Sequence, residues 1–525
     1  MKLYDKLMDY SQSDFYPFHM PGHKRQVQHP FLKDVPNPYA IDITEIDGFD
    51  NLHHPEEILR TSMERAAKFY GADKSYYLVN GSSAGILSAL CAVTNNSDTI
   101  LMSRNCHKAA YHGVFIKNLY VKYTYPQLIV DYGIQGGLIP EEIEDMLKTF
   151  VDISAVLVVS PTYDGIVSNI RKIAEICHNY KVPLIVDEAH GAHFRYHERF
   201  PVSALDLGAD IVIQSLHKTL PSFTQTAILH VKGGLVDRAR LEHYLQIFQS
   251  SSPSYLFMAG IERCIDFMNP IAVDKVKGAA QPETDRRGNP FGENGVQAMQ
   301  RFCDRLVCLR KDLSSMKNLR LLGEEQKGHH GVWDLDISKI IVSTKNVGIS
   351  GEELGEWLRR DYHLEMEMCA AKYVTAITSV MDTEEGLRRL RDALLEIDQR
   401  LDERKTMDGK NIRYQEPVPD IRDTQNGEAA VMTIADAWNQ ASDRVLFQDS
   451  EGRISGEYIY LYPPGIPFVV PGEKISRTLI EQVAWYREMG FSVQGMEDKS
   501  CQTIRVLSAE ETLERSKDWR GYGTK

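Results

Sequence analysis

The stretch VPLIVDEAHGAHFRYHERFPVSALDLGADIVIQSLHK, residues 182–218, contains two short apolar runs, and polar residues follow each run directly. The first run ends at Asp187, and the second leads into Ser215, His217 and Lys218. Runs that are apolar throughout predict strands buried on both faces, as in a mostly parallel sheet. In such sheets ligands bind beside the carboxyl ends of the strands. The stretch therefore predicts an α/β fold with a ligand site at these polar residues.

The same alternation of helical periodicity and short apolar runs extends over residues 55–230. PEEILRTSMERAAKFYG, which ends at Gly71, and RKIAEICHNYK are predicted helices, whereas SYYLVNG, DTILMSR and ISAVLVVSPTY are predicted strands. A Pro- and Gly-rich stretch, GAAQPETDRRGNPFGENG, indicates an exposed insertion or linker. The sequence thus predicts four regions: an arm at 1–54, a large domain at 55–270, a linker with a small α+β domain at 271–401, and a C-terminal domain at 402–525.

Composition excludes several classes of function. The 525 residues include 60 basic and 73 acidic side chains, a formal charge of −13, which gives no support for nucleic-acid binding. No apolar run reaches the roughly 18 residues of a membrane span, and the N-terminus lacks a signal peptide. The eight cysteines form no Cys-x-x-Cys pair, so we expect a cytoplasmic protein with no metal site.

Each polar group at a strand end has an ordinary structural explanation when it is taken alone. Ser82 and Ser83, between a strand and a helix, would cap the helix or form an anion cradle. Asp187 would cap a turn or pair with a cationic ligand atom, because an unpaired buried carboxylate is costly. Lys218 would extend to solvent or act as an amine nucleophile with a depressed pKa.

The order of these groups along the chain favours one chemical task. The hydroxyl and N–H cradle would take a phosphate, Asp187 would keep a pyridine nitrogen protonated, and Lys218 would hold an aldehyde as an imine. Pyridoxal 5'-phosphate requires all three and then acts as an electron sink for a carbanion. The sequence therefore predicts pyridoxal 5'-phosphate as the cofactor.

Seven motifs resemble those of the Orn/Lys/Arg decarboxylase family, which comprises pyridoxal-phosphate enzymes of the aspartate-aminotransferase fold. They are MPGHK, NGSSAG, SRNCHKAAYHG, PTYDGIVSNI, VDEAHGAHF, SLHKTLPSFTQTA and YPPGIPFVVPGE, and they extend from residue 20 to residue 473. The resemblance implies fold type I, with a mostly parallel sheet in the cofactor-binding large domain and smaller α+β C-terminal domains. It also implies the short form of the family, which lacks the N-terminal wing domain.

The resemblance implies roles for individual residues around the cofactor. Lys218 resembles the Schiff-base lysine, His107 resembles the imidazole that stacks on the ring, and Ala189 would pack beneath the ring. The residues implied to surround the phosphate and the imine are Ser82, Ser83, Ser215 and His217. Thr162 could touch the cofactor from a strand end, whereas Asp164 would touch it or cap the turn.

The implied reaction removes the α-carboxylate of a basic L-amino acid, giving carbon dioxide and a polyamine-type amine. Arginine is favoured over lysine and ornithine because the short members that this chain resembles include arginine decarboxylases. Glu365 and Glu473 are the candidate partners for the cationic end of the substrate. His190 would lie near the substrate carboxylate or support the site from behind, and His190, His217 or Lys218 would return a proton to the α-carbon.

Enzymes of this fold build their active site across a two-fold interface, so we expect a homodimer or a larger homo-oligomer. The MPGHK segment would reach across that interface. Two other functions stay open: another reaction on the same cofactor, by an aminotransferase or a carbon–carbon lyase, and a catalytically silent cofactor-binding regulatory protein. An aminotransferase usually holds the substrate carboxylate with an Arg, and no such Arg stands out in the sequence.

Overall fold

The structure is a computed structural model, and it describes residues 3–33, 37–269, 295–345, 347–408, 430–461, 465–488 and 490–508. The Pro- and Gly-rich stretch that indicates a linker therefore lies, except for Gly295, outside the described residues, as does most of the connection to the C-terminal domain.

A seven-stranded sheet forms the centre of the large domain. Its strands in chain order are β1 (Lys74–Leu78), β2 (Thr99–Ser103), β3 (Tyr120–Thr124), β4 (Ile153–Val159), β5 (Leu184–Asp187), β6 (Ile211–Gln214) and β7 (Ala227–Val231). Their order across the sheet is β1-β7-β6-β5-β4-β2-β3. The pairings from β6 through β3 are all parallel, and only β7 runs antiparallel to its two neighbours. The predicted mostly parallel sheet is confirmed.

The sheet is buried on both faces because helices cover each side. Strands β2, β5 and β6 are buried along their whole length, which explains why their sequences are continuously apolar. The helices of this domain are Ile58–Tyr70, Gly81–Val93, Lys108–Lys117, Pro140–Thr149, Ile170–Asn179, Leu216–Thr219, Arg238–Phe248 and Tyr255–Met268. Burial of each Val, Leu or Ile side chain contributes roughly 1.5–3 kcal/mol.

The predicted end of the first helix of this domain is confirmed at Gly71. This residue adopts the left-handed conformation with φ 71°, and its N–H donates to the carbonyl of Ala67. Glycine adopts this conformation at little steric cost, so it ends the helix and turns the chain into β1.

The small α+β domain is a four-stranded sheet with three helices. Its strands are, in sheet order, Arg320–Leu321, Lys339–Ser343, Tyr373–Ile377 and Met368–Cys369, and its helices are Gly295–Leu313, Gly351–Tyr362 and Glu384–Asp408. The last helix continues past residue 401, where the sequence predicted a domain boundary. The predicted boundary at residue 401 therefore falls inside this helix. Helical periodicity indicated the helix but not the residue at which it ends.

The C-terminal part contains two further small sheets. One pairs Ser442–Leu446 with Thr503–Leu507, and the other comprises Pro467–Val469, Ile459–Leu461 and Val493–Gln494. Two helices belong to it, Ile434–Asn439 and Arg477–Glu488. At the other end of the chain lie the helices Leu3–Ser11 and Pro30–Lys33 and the strand Tyr16–Phe18, which pairs with Leu364–Met366. Two-stranded pairs at Leu128–Ile129 with Ile134–Gln135, and at Ile166–Val167 with Asp334–Leu335, complete the described strands.

Membrane-spanning helices and clusters of metal-ligating side chains are both absent from the described residues. Among those residues no helix is both long and apolar enough to cross a bilayer. No group of three or more His, Cys, Asp or Glu side chains in the same ranges could hold a metal ion.

Candidate active site

A cavity of about 850 Å³ lies at the carboxyl ends of the parallel strands. Nine of the side chains singled out from the sequence line it: Ser82, Ser83, His107, Thr162, Asp187, Ala189, His190, His217 and Lys218. They come from five separate strand-to-helix connections, which the sheet order brings to one edge. The arrangement unites residues that are more than 130 positions apart in sequence.

One end of the cavity is formed by the start of the helix Gly81–Val93. The chain turns into this helix at Gly81, which has φ 74°, and Ser82 and Ser83 follow in the first turn. The hydroxyl of Ser215 donates to the Ser82 hydroxyl over 2.9 Å. Helix N-termini present backbone N–H groups without intrahelical partners, and together with these hydroxyls they suit an anion such as a phosphate.

Asp187 is the last residue of β5, and only 6% of the residue is exposed. Its Oδ1 accepts a hydrogen bond from the Ala189 N–H over 3.1 Å. Burial raises the pKa of this carboxyl, whereas the positive charge of Lys218 lowers it. Within the described ranges Asp187 forms no salt bridge, so a cationic ligand atom would supply the counter-charge that the site lacks.

Lys218 follows β6 in the single helical turn Leu216–Thr219 and is half-buried. Its Nζ lies 2.9 Å from Nε2 of His190. Burial lowers the pKa of Lys218, while the charges of Asp187 and Glu367 oppose that shift. A lysine in this environment is available as a neutral amine at a lower pH than a surface lysine.

Three imidazoles of the cavity are neutral near pH 7. Burial lowers the pKa of His107 to about 3 and that of His217 to about 4, and it holds the pKa of His190 well below its ordinary value. The His107 Nδ1 accepts from the Ala109 N–H over 3.2 Å and so caps a helix. The His217 Nδ1 donates to the Thr226 carbonyl over 2.8 Å. These bonds fix both rings, and within the described residues the other nitrogen of each ring has no hydrogen-bond partner.

Thr162 and Asp164 occupy the turn after β4. The Thr162 hydroxyl accepts from the Ile166 N–H over 3.1 Å, so this side chain shapes the turn in addition to lining the cavity. Asp164 also lines the cavity and is buried; Tyr373 donates to its Oδ2 over 3.5 Å, and its Oδ1 has no hydrogen-bond partner. Burial raises the pKa of Asp164 to about 7.

Neither glutamate chosen from the sequence for the substrate lies in this cavity. Glu365 pairs with Arg359 over 3.0 Å, and Glu473 pairs with the buried Arg104 over 3.2 Å while accepting from the Val470 N–H. Neither side chain is part of the cavity lining. The carboxylates of both residues already form ion pairs with arginines of this chain. The expectation that Glu365 and Glu473 bind the cationic end of the substrate is therefore corrected.

Exchange of Glu473 for Gln is expected to destabilise the fold by about 1–3 kcal/mol, because the Arg104 guanidinium would lose its buried counter-charge. Arg104 also donates to the carbonyls of Pro467 and Phe468, so the Glu473 pair joins the C-terminal part to the large domain. Urea unfolding would measure the loss. The partly exposed pair of Glu365 and Arg359 provides the control, since Glu365→Gln should cost only about 0.2–1 kcal/mol. Equal losses in the two variants would contradict this assignment.

The small domain contributes charged residues that the sequence patterns did not indicate. Glu352 and Glu367 line the cavity, and the buried Lys339 contacts His190, with 3.3 Å between its Nζ and Nδ1 of the ring. Glu367 accepts from the Tyr163 hydroxyl and from the Met20 N–H. The one local signal was Lys339, which directly precedes the apolar run IIV.

The MPGHK segment packs against its own chain. The Gly22 N–H donates to the His217 carbonyl over 2.7 Å, and a side chain at Gly22 would collide with the backbone of Leu220. Met20 and Pro21 line the cavity, and the buried Lys24 donates to two backbone carbonyls. The segment thus contributes to the cavity of its own chain, and its expected contact across a subunit interface stays a prediction.

The residues present fit pyridoxal phosphate on grounds of their own. The helix start with Ser82 suits a phosphate, the buried Asp187 without an ion pair suits a protonated ring nitrogen, and the Lys218 amine suits an aldehyde. The neutral His107 lines the same cavity with its ring fixed by a cap. Together these groups suit the phosphate, the ring and the aldehyde of one cofactor molecule.

Residues 2–385 match the Orn/Lys/Arg decarboxylase major domain, and residues 424–499 match the C-terminal domain of the same family. An arginine decarboxylase of Halalkalibacterium halodurans is 32% identical over 94% of this chain and 95% of its own length. An arginine decarboxylase of Bacillus anthracis is 29% identical over 96% of this chain and 97% of its own. The lysine decarboxylase LdcA of Pseudomonas aeruginosa is 24% identical over 49% of this chain and 38% of its own.

Solved structures show the same fold at lower identity. The lysine decarboxylase LdcF of Francisella novicida superposes with a TM-score of 0.70 at 20% identity, covering 96% of this chain and 80% of that chain. Lysine decarboxylase A of Pseudomonas aeruginosa gives a TM-score of 0.69 at 18% identity over the same shares. The predicted family, fold class and enzyme type are confirmed: this chain belongs to the Orn/Lys/Arg decarboxylase family.

Proposed function

We propose that this chain decarboxylates L-arginine to agmatine with pyridoxal phosphate covalently attached to Lys218. The observation that carries the proposal is the cavity in which Lys218, the uncompensated Asp187 and the Ser82 cradle converge. Four relatives that are 28–32% identical over at least 90% of this chain are arginine decarboxylases, whereas the lysine and ornithine decarboxylases compared are 22–24% identical. That difference supports arginine over the other two basic amino acids.

Bound at this site, pyridoxal phosphate would accept the electron pair that remains when the substrate carboxylate leaves as carbon dioxide. Asp187 would hold the ring nitrogen in its protonated form, and Ser82, Ser83 and Ser215 would hold the phosphate. Lys218 would return a proton to the α-carbon once it is displaced by the substrate amine. His190 would assist that transfer, because its Nε2 is within hydrogen-bond distance of the Lys218 Nζ.

We assign the recognition of the guanidinium to Glu352, from the charge balance among the cavity carboxylates other than Asp187. The charge of Glu367 is opposed by Lys24, Lys218 and Lys339, since it raises the pKa of each. Burial raises the pKa of Asp164 to about 7, which weakens its charge, and it also raises the pKa of the less buried Glu352. Glu352 is half-buried, lines the cavity and makes no ion pair in the described ranges. A guanidinium would pair with such a carboxylate through two parallel hydrogen bonds.

Exchange of Glu352 for Gln should raise the KM for arginine roughly 10- to 100-fold with a smaller change in kcat, because a charge-assisted bond to the substrate is lost. Glu356→Gln is the matched control: Glu356 is exposed on the same helix and pairs with Arg360 over 3.8 Å. Steady-state kinetics would measure KM and kcat for arginine in both variants. A KM for Glu352→Gln equal to that of the control would remove Glu352 from this role.

The substrate itself is tested by incubating the purified protein and cofactor with arginine, lysine and ornithine in parallel. We expect kcat/KM to be highest for arginine, with agmatine and carbon dioxide formed in equal amounts. Higher kcat/KM for lysine or ornithine would refute the arginine assignment and leave the family unchanged. Transfer of the amino group to a keto acid without release of carbon dioxide would favour the aminotransferase alternative.

We further propose that the active unit is a homodimer. Large apolar side chains lie exposed in one stretch of the N-terminal arm: Tyr39, Ile41, Ile46 and Phe49. An apolar surface of this kind commonly marks a protein–protein interface. Light scattering on the active enzyme should give twice the mass of the chain or a larger multiple, and a fully active monomer would contradict the proposal.

A further inference from the structure

Gly22 of the MPGHK segment connects the turn that bears Lys218 with the small domain. Its N–H donates to the His217 carbonyl over 2.7 Å, and its carbonyl accepts from the Ser379 hydroxyl over 2.5 Å. Ser379 is 1% exposed and lies just after the strand Tyr373–Ile377 of the small domain. Hydrogen bonds on both sides of one glycine therefore join the small domain to the backbone beside Lys218.

The bond to His217 supplies a partner that the turn itself does not have. The Lys218 turn, Leu216–Thr219, is a single helical turn, and the last carbonyls of a helix lack partners within the helix. The Leu216 carbonyl accepts from the Leu220 N–H over 2.9 Å. The residue in the corresponding position for the His217 carbonyl is Pro221, which has no N–H. The Gly22 N–H therefore caps the Lys218 turn from outside.

The close approach of the segment to the turn requires a glycine. A Cβ on Gly22 would lie 2.6 Å from the carbonyl oxygen and 2.8 Å from the amide nitrogen of Leu220. Both contacts are with backbone atoms, so rotation of a side chain could not relieve them. A larger residue at position 22 would displace either the segment or the end of the Lys218 turn.

The residues on either side of Gly22 are also bound to the small domain. The Met20 N–H donates to Glu367 Oε2 over 2.9 Å, and the Lys24 Nζ donates to the Ile377 carbonyl over 2.6 Å. Lys24 is 1% exposed, so its bond to Ile377 is shielded from water. The small domain thus fixes the segment at both ends and, through Ser379, at its centre.

We propose that Gly22 and Ser379 are positioning residues: Ser379 holds Gly22 against the Lys218 turn, and Gly22 caps the turn so that the Lys218 amine keeps one position in the cavity. Neither Gly22 nor Ser379 lines the cavity. The chemical role of Lys218 rests on the proposed function, whereas the cap is a property of the protein without cofactor. Misplacement of a reacting group by about 1 Å can cost about 100-fold in rate.

Hydrogen exchange of the cofactor-free protein tests the cap, with overlapping peptides that isolate the Gly22 and Leu220 amides by mass spectrometry. Ser379→Ala should speed the exchange of both amides roughly 3- to 10-fold, because the hydrogen bond that holds Gly22 in place is lost. The amides of β6, which precedes the turn, should exchange at an unchanged rate, since only the turn loosens.

Thr378→Val is the matched control for Ser379→Ala. Thr378 is also 1% exposed, and its hydroxyl donates to the Ser338 carbonyl over 2.7 Å, within the small domain. Valine has nearly the shape of threonine but no hydroxyl, so the control loses a buried hydrogen bond of the same kind one residue away. We expect the Gly22 and Leu220 amides to exchange as in the unaltered protein.

Activity of the loaded enzyme tests whether the cap positions Lys218. Ser379→Ala should lower kcat for arginine roughly 10-fold with little change in KM, and Gly22→Ala should lower it roughly 100-fold, because its Cβ displaces the turn directly. Thr378→Val should keep both constants. An unchanged kcat in Ser379→Ala, together with faster exchange of the Gly22 and Leu220 amides, would overturn the positioning role.

The exchange measurement has its own contradicting results, and none of them depends on the reaction. Unchanged exchange of Gly22 or Leu220 in Ser379→Ala would separate the small domain from the turn. Equal acceleration in Thr378→Val, or in β6, would show a general loss of stability instead of a lost cap. Should Ser379→Ala fail to fold, the unaltered protein decides: a Gly22 amide that exchanges as fast as that of an unfolded peptide would contradict the cap.

Discussion

Lys218→Ala is expected to lose decarboxylase activity by at least roughly 10²- to 10⁴-fold, because the variant lacks the group that would return a proton to the α-carbon. The variant should also lose the covalent attachment of the cofactor. It should still bind cofactor, since Ser82, Ser83 and Ser215, which would hold the phosphate, are unchanged. Assay of carbon dioxide release together with cofactor retention on gel filtration would measure both effects.

The control for this variant is Lys172→Ala. Lys172 lies on an exposed helix face, where its Nζ is 3.8 Å from Glu175, and it has no contact with the cavity. We expect this control to keep its activity and its covalently bound cofactor. Near-native activity of Lys218→Ala would show that another lysine carries the chemistry, and the assignment of the cavity would then fail.

Asp187→Asn should reduce the decarboxylation rate by roughly 100- to 1,000-fold, the usual effect of removing one preorganised electrostatic group. Asparagine keeps the size of the side chain but not the charge that would hold the ring nitrogen protonated. Because Lys218 is untouched, the covalent attachment of the cofactor should persist. Single-turnover measurements of carbon dioxide release on the loaded variant would separate the rate of reaction from cofactor binding.

Asp210→Asn serves as a second buried-aspartate control. Asp210 is 3% exposed and lies just before β6, at the far edge of the sheet, where its Oδ2 accepts from the Leu184 N–H over 2.8 Å. Its replacement should lower stability with little effect on the rate of the folded protein. If Asp187→Asn behaved in the same way, with a near-native rate, the partner of the ring nitrogen would have to be another residue.

The strands of the large domain and the edge of the sheet that binds the ligand could be predicted from the sequence, because the sequence patterns that indicate them are local. Each buried strand is a continuous apolar run, and Asp187, Ser215 and Lys218 directly follow such runs. Parallel strands end at a common edge, so these residues had to lie near one another once the sheet order was formed. The same reasoning gave no information about side chains that the small domain contributes from more than 100 residues further along the chain.

Glu365 and Glu367 illustrate the limit of sequence patterns. The strand Leu364–Met366 pairs with Tyr16–Phe18, whereas Met368–Cys369 belongs to the four-stranded sheet. The chain changes sheets at Glu367, and this change directs Glu367 into the cavity while Glu365 pairs with Arg359. No local periodicity reports such a change, because it depends on which strands the two segments meet.

Glu473 shows a second limit, since its partner is distant in sequence. Arg104 lies 369 positions earlier in the chain, and their pairing in the interior depends on the docking of the C-terminal part on the large domain. A carboxylate in a Pro- and Gly-rich motif resembles a ligand-binding residue in sequence, and only the packed structure shows that its charge is already neutralised.

Reductive trapping identifies the lysine that carries the cofactor. The purified protein is loaded with pyridoxal phosphate, reduced with borohydride, digested and analysed by peptide mass spectrometry. We expect a single reduced pyridoxyl adduct, on the peptide containing Lys218. An adduct on another lysine, including Lys24 or Lys339, or no adduct after full loading, would contradict this assignment.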